Sequence, residues 1–423
     1  MLKNSSVTKR FLLALLNAGI LLLISSNATA GVLSFQDAWQ RIQQQNPDLT
    51  AERWGIGASA GKVEQSRLLP NPTAGLTVEN IGAKNQSQDG QETESTLMIN
   101  QPILLGNKLS KRIQLSTSEC QVQQWTYSLA YFTLYSEAGW KYIDILAAQH
   151  QYQTLQESTR LAQLTIDTIK KRMGAGKSSQ LELKSAELAF GELQVQLQIA
   201  KTQIVIARSQ LAALWNGTIT EIGNLQDIGL SHTLLPLSEL LSFVPHSPLL
   251  QVALAQSQAG FNQVQLSRSE AFPDLNIGAG VRHFQQTNDN ALVAQVSVPI
   301  TVFDRNQGNI HAAFSSYESK LANQRAKQIA ITNQIYVLYQ KASQTEAEMK
   351  MVQIQLIPTA ESAFDLAKQG YLQGRFSYLD LLNAQQKLID ERRRYWQVHA
   401  TYDKTLVELY AMLGLTTREF KHA

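Results

Sequence analysis

Residues 174–179 read Gly-Ala-Gly-Lys-Ser-Ser and end like a phosphate-binding loop. Such a loop cradles phosphate oxygens in backbone amides and needs a further glycine five positions before its Gly-Lys-Ser end. Lys171 stands there instead of a glycine, so the motif fails. The seven histidines sit at positions 150, 232, 246, 283, 311, 399 and 422. No two of them are four apart and none neighbours the single cysteine, Cys120, so no zinc-ligand spacing is present. With one cysteine no internal disulfide can form. The carboxylate of Asp380 stands in a different setting, the run Leu379-Asp380-Leu381-Leu382-Asn383-Ala384. On a helix Asp380 and Asn383, three apart, face the same way. Carboxylates brought close together raise one another's pKa and attract cations. The chemistry expected is therefore electrostatic rather than catalytic: not an enzyme, no cofactor and no metal site.

Whatever positions Asp380 is built on an exported chain. Lys3, Lys9 and Arg10 precede an apolar stretch from Phe11 to Ser25, and Ala28-Thr29-Ala30 follows as a small-x-small cleavage signal. Residues 1–30 are thus expected to be a cleaved signal peptide. Removing their three basic residues from 37 leaves 34, against 34 Asp and Glu. A neutral mature chain offers no basic face for nucleic acid. No later segment is a 20-residue apolar run, so no transmembrane helix is expected.

The chain is written twice. Pro47 and Pro248 lie 201 positions apart, as do Pro72 and Pro273; Pro102 and Pro299 lie 197 apart. Gly176 and Gly374, Leu181 and Leu379, and Glu182 and Asp380 are 198 apart. The expected organisation is a first repeat over 31–215, an inter-repeat segment over 216–245 and a second repeat over 246–423. Each repeat opens with a helical stretch (51–69; 250–269) and continues into two alternating runs. In the first, Ala74, Leu76 and Val78 share one face, as do Leu97 and Ile99. In the second, Leu275, Ile277, Ala279 and Val281 share one face, as do Leu292, Ala294, Val296 and Val298. Alternation of this length suits a transmembrane β-barrel, although a half-buried hairpin in a soluble sheet shows the same period. Four strands cannot close a barrel, so several chains must pool them.

After each hairpin a proline (Pro102, Pro299) is expected to end the strand and feed the chain straight into a very long helix, over 107–172 and 306–370. A glycine-containing break follows, and a second helix returns. The first return helix carries a 4-3 seam. Leu183, Phe190, Leu197, Ile204 and Leu211 form one row, and Ala186, Leu193, Ala200, Ala207 and Leu214 the other. The second carries the matching seam from Leu381 to Met412, broken only by Glu391 and Thr405.

The duplicated plan, the segment "YLQGRFSYLDLLNAQQKL" (371–388) and the strand–proline–helix junctions resemble TolC-like outer-membrane efflux proteins over essentially the whole mature chain. The resemblance implies a mainly α fold with a pair of transmembrane β hairpins per chain. It implies a homotrimer whose pooled strands form one twelve-stranded barrel in outer-membrane lipid, joined to a long α-helical barrel in the periplasm. A mixed girdle would ring the helices, built from the chain ends and about 216–245. Partners would be a periplasmic adaptor (membrane fusion) protein and an inner-membrane pump of the RND type. The junctions "QPILLGNKLSKRI" and "VPITVFDRNQGNI" resemble the cobalt–zinc–cadmium subgroup, with Pro102, Gly106, Pro299, Asp304, Arg305, Asn306 and Gly308 as junction residues. The subgroup's first junction commonly has a Gly-Gly-Lys-Arg core; here Gly106-Asn107-Lys108 is followed by Leu109. By the same resemblance Asp380, Asn383 and Glu182 would line the periplasmic aperture, where relatives with a "VDVLDA"-like segment have a second carboxylate at the place of Asn383. The helix tips, with Gly176, Ser178, Leu181, Gly374, Ser377 and Leu379, would dock the adaptor. The function implied is an exit duct for divalent heavy-metal cations. A duct of the same fold for drugs or secreted polypeptides is the alternative, and a periplasmic coiled coil without a pore is the other. N-terminal sequencing of the mature protein is expected to begin at Gly31; material beginning at Met1 would contradict the signal peptide.

Overall fold

The structure, a computed structural model, describes residues 32–81, 93–226 and 234–416. The expected signal segment, residues 82–92 of the first interstrand loop and residues 227–233 of the inter-repeat segment lie outside the described residues.

In the first half α1 (Phe35–Gln45) is followed by α2 (Pro47–Ser66), β1 (Thr73–Glu79), β2 (Glu94–Ile103), α3 (Lys108–Gly174) and α4 (Gln180–Ala212). The second half contains α5 (Leu237–Ser242), α6 (Pro248–Glu270), β3 (Leu275–Phe284), β4 (Asp289–Ser297), α7 (Gln307–Met351), α8 (Ile357–Gln373) and α9 (Tyr378–Met412). Local chemistry sets several of these starts. Ser34 and Asn46 accept from backbone amides three residues on, and Pro47 occupies the first turn of α2, where no N–H is needed. At roughly 1.5 Å per residue α3 alone is about 100 Å long. Among the described residues no helix is long and apolar enough to cross a membrane.

The four strands form one antiparallel sheet in the order β1-β2-β3-β4, so the two hairpins join through β2 and β3 and leave β1 and β4 as edges. Leu76, Leu97, Val281 and Leu292 stand directly opposite one another across all four strands, and all four are exposed. The opposite face holds Gly75, Met98, Gly280 and Val293, then Thr77, Thr96, Arg282 and Ala291. A methyl group on Gly280 would lie 2.2 Å from the Leu97 carbonyl oxygen. One face is thus an apolar row open to its surroundings, and the other is mostly small and polar.

Three details differ from the sequence expectation. Pro102 does not end its strand: it pairs with Asn276 inside β2, which runs on to Ile103. It is tolerated there because β1 pairs no further than Asn100, so Pro102 has a neighbour on one side only. The second long helix is not continuous: α7 and α8 are joined by a π-turn, Val352–Leu356. Pro358 has no N–H for the carbonyl four residues back, and the wider turn accommodates its ring. The second junction is also a real connection, with residues 298–306 between β4 and α7.

The return helices bury their seams as the spacing requires. Leu183, Ala186, Leu193, Ala200, Ala207 and Leu211 of α4 are buried, as are Leu381, Leu388, Val398, Tyr402, Thr405 and Leu409 of α9. Each half also has a core around the middle of its long helices. In the first, Phe35, Trp39 and Ile42 of α1 pack against Tyr135, Ala138 and Tyr142 of α3, with Leu211 and Trp215. In the second, Leu240 of α5 and Val244 pack against Ile331, Ile335 and Leu338 of α7 and Leu406 of α9. The α5 segment therefore stands in the second half where α1 stands in the first. The chain start and the inter-repeat segment are pinned by a parallel bridge between Leu33 and Leu225. Tyr142 Oη, 2.7 Å from the carbonyl oxygens of both Leu33 and Gln226, braces that bridge. Leu406 is fully buried in this arrangement. Leu406→Ala is expected to lower the unfolding free energy by about 2–5 kcal/mol, read from denaturant titration of the purified protein.

Candidate functional site: the helix tips and the strand-to-helix junctions

Both long hairpins reverse by one device. Gly176 and Gly374 adopt positive φ (+68° and +74°), a conformation open to glycine at little cost. Lys177 N donates to Arg172 O at 2.9 Å, and Arg375 N donates to Gly370 O at 2.8 Å, closing equivalent helix ends. Three residues after each glycine a serine caps the return helix: Ser179 for α4 and Ser377 for α9. Ser377 thus corresponds to Ser179, not to Ser178.

Ser178 has another task. Arg172, at the end of α3, reaches across to α8 and donates to the carbonyls of Tyr371 (2.7 Å) and Leu372 (2.8 Å). Its guanidinium carbon lies 4.5 Å from the centre of the Tyr371 ring. Arg172 Nε also donates to Ser178 Oγ at 3.2 Å, and Ser178 Oγ lies 3.1 Å from Tyr371 Oη. Tyr371 Oη donates to Glu182 Oε2 at 3.1 Å. Because the phenol has one proton and gives it to the carboxylate, Ser178 is the donor to Tyr371. The relay Arg172–Ser178–Tyr371–Glu182 ties the two hairpin tips together. Burial raises the Tyr371 pKa, and burial first, then Tyr371 and Glu182, push Tyr378 up to about 12. Both phenols therefore stay neutral at physiological pH, and Tyr371 keeps the proton it donates to Glu182.

The two residues paired by the repeat, Glu182 and Asp380, do different work. Asp380 Oδ2 accepts from Ser377 N (2.9 Å) and Ser377 Oγ (2.7 Å), while Asp380 N donates back to Ser377 Oγ, a reciprocal cap. These bonds hold the Asp380 carboxyl below the usual carboxylate range. The cap is therefore complete above that range and is lost only as pH falls through the lowered pKa. Glu182, one methylene longer, turns to Tyr371 instead. Asp380 and Asn383 are both exposed on α9. Asn383 borders a cleft of about 210 Å³ shared with α3 and α4. Leu181 and Leu379 are exposed apolar side chains at the tips, at 76% and 62% of their surface.

At the other end each long helix starts from an asparagine in the left-handed region, Asn107 (φ 60°) for α3 and Asn306 (φ 60°) for α7. Gly106 precedes the first with φ +66°, and a methyl group there would strike Phe272 Cβ at 2.8 Å and Ser269 O at 2.9 Å. Asp274, just before β3, accepts from Leu105 N (3.1 Å) and from Lys108 Nζ (2.6 Å). In the second junction Asp304 Oδ1 accepts from Asn306 N at 2.8 Å, and Asn306 Nδ2 donates to Ser267 O at 2.8 Å. Gln307 closes the turn by accepting from Arg305 N and donating to Phe303 O. Gly308 lies in the first turn of α7 in open space.

Arg172, Tyr371 and Asp274 escape a reading based on the repeat. Their counterparts by repeat offset are Gly370, Met173 and Thr73, so self-comparison does not single them out. Gly57-Ala58-Ser59-Ala60-Gly61 does spell Gly-x-Ser-x-Gly. A nucleophile elbow needs a strand-to-helix turn, whereas this run is inside α2 and Ser59 Oγ donates to Gly55 O at 2.9 Å. Among the described residues no group of three or more His, Cys, Asp or Glu could hold a metal ion.

The family described as "Outer membrane efflux protein" matches residues 38–217 and 243–415, one span in each half. The chain is 27% identical over 385 residues to the cobalt-zinc-cadmium resistance protein CzcC of Cupriavidus metallidurans, covering 89% of this chain and 90% of that one. Its fold is similar to the outer membrane protein VceC from Vibrio cholerae, with a TM-score of 0.75, 18% identity and coverage of 90% and 96%. It is similar also to CusC, with a TM-score of 0.75, 16% identity and coverage of 90% and 92%. Tyr371→Phe keeps the ring and removes both hydroxyl contacts, so it is expected to loosen the tips by about 1–2 kcal/mol. Faster amide hydrogen exchange over residues 174–182 and 370–378 would report it, with exchange in α1 unchanged.

Proposed function

Because the chain belongs to the outer membrane efflux protein family, we propose that it is the exit duct of a tripartite system exporting divalent heavy-metal cations. The protein is an outer-membrane efflux channel that extends into the periplasm. The metal assignment is carried by the likeness to a cobalt-zinc-cadmium resistance protein along nine-tenths of both chains. The junction sequences "QPILLGNKLSKRI" and "VPITVFDRNQGNI" support the same branch.

The duct works as a homotrimer. A four-stranded sheet with two free edges cannot stand in hydrocarbon, whereas three copies joined edge to edge leave none. The apolar row through Leu76, Leu97, Val281 and Leu292 faces lipid, and the small, polar face with Gly280 and Thr96 faces the water-filled lumen. The helices carry the conduit down to the tips. There exposed Leu181 and Leu379 meet a periplasmic adaptor, which couples the duct to an inner-membrane pump. Three Asp380 side chains around one axis form an anionic ring that favours cations, while the Arg172–Tyr371–Glu182 relay holds the tips together.

Deleting the gene is expected to sensitise cells to cobalt, zinc, cadmium or nickel more than to dyes or detergents; the reverse pattern would favour a drug duct. In planar bilayers Asp380→Ala is expected to reduce cation selectivity and weaken block by trivalent cations. Unchanged values would put Asp380 off the pore.

A further inference from the structure

We propose that the connection after β4, residues 298–303, is a subunit lock that seats against the α2–β1 connector of the next copy of this chain, with Phe303 as its anchor. The inference rests on the trimer proposed above. It begins from the sheet: β4 and β1 are the edges, and neighbouring strands alternate in direction. With four strands per chain, joining β4 of one copy to β1 of the next continues that alternation. The end of β4 then lies beside the start of the next β1. Residues 298–303 come to lie against residues 67–72.

The repeat supplies an internal template for this contact. Within one chain the connection after β2 lies against the connector before β3. Gly106 packs on Phe272 there, and Leu105 and Lys108 are held by Asp274. The connection after β4 has the corresponding place in the ring, but its partner connector belongs to the next copy. At the repeat offset of 201 shared by Pro72 and Pro273, the residue matching Phe272 is Asn71. The aromatic ring is therefore missing on that side. The second junction makes it good from its own side: it spans seven positions from Pro299 to Asn306, against five from Pro102 to Asn107, and carries Phe303.

Both surfaces are uncovered within one chain. Phe303 is 90% exposed and Ile300 87% exposed, in a segment whose backbone is turned by a Val302 N–H bond to Ile300 O. Leu68 and Leu69 are also exposed. Beside them a hollow of about 470 Å³ opens between α2 and α3, lined in part by Lys62, Leu68, Leu69, Pro70, Arg112 and Glu119. It combines an apolar wall with charges of both signs, complementing Phe303 and the adjacent Asp304 and Arg305.

The test is site-directed cross-linking in the full chain with Cys120→Ser as background. A short bis-thiol reagent applied to protein carrying Phe303→Cys and Leu69→Cys is expected to give covalent dimers and trimers on denaturing gels, and neither single variant should give the trimer. A second readout uses Phe303→Ser, which removes a side chain that one copy leaves exposed. It is expected to raise the protein concentration at which the trimer dissociates by about tenfold or more, with the helical circular dichroism unchanged. Light scattering separates the two ways of failing. Monomeric wild-type protein with intact β-structure overturns the trimer and the lock together. A trimer that neither cross-links at these positions nor responds to Phe303→Ser overturns the lock alone.

Discussion

An amide or carbonyl left without a partner in hydrocarbon costs several kcal/mol, and this chain builds a sheet with two unpaired edges. Much of the architecture answers that constraint. Four strands are too few to close, and within one chain β1 and β4 each keep an unpaired side. The apolar row across it is continuous from edge to edge because the β2–β3 pairing joins the two halves in the correct register. A slip of one residue there would turn Leu76 and Leu97 away from Val281 and Leu292 and break the apolar band.

The duplication solves a second problem, which is how to hang about 100 Å of helix from a short strand. Each junction starts its helix from a left-handed asparagine and is braced from the end of α6. Asp274 and Phe272 serve the first junction, and Ser267 the second. The middle cores then pack the short helices α1 and α5 against the long ones. In the first half Trp39 of α1 and Trp215 after α4 are buried in the core that contains Tyr142 of α3.

At the far end, symmetry of sequence becomes asymmetry of contact. The two tips share glycine, serine cap and following leucine, yet only the first presents Arg172 and only the second presents Tyr371. The first tip supplies the Arg172 donor and the Glu182 acceptor, and the second the carbonyl and hydroxyl of Tyr371. Glu182 and Asp380 diverge as well. The aspartate is short enough to close on its own cap, and the glutamate is long enough to leave it.

The repeat, the strand alternation and the heptad seams are properties of spacing, legible before any fold is known. From Leu183 to Leu211 the buried positions are those of the 4-3 pattern, whereas from Leu381 to Leu409 Gln385, Ile389, Asp403, Leu406 and Val407 are buried beside it because α9 packs on more than one neighbour. The alternating runs through Leu76, Leu97, Val281 and Leu292 became the four strands, the second and fourth starting three residues earlier than the alternation, at Glu94 and Asp289. What unlike residues from the two halves do to each other came from folding alone: Arg172 with Tyr371, Lys108 with Asp274, and Gly106 under Phe272. So did the place of Pro102 within a strand and the π-turn at Pro358. Spacing reports which face of an element is apolar, because that face repeats along the chain. A contact between residues 166 or 199 positions apart leaves no period, and it exists only once the chain has folded back on itself.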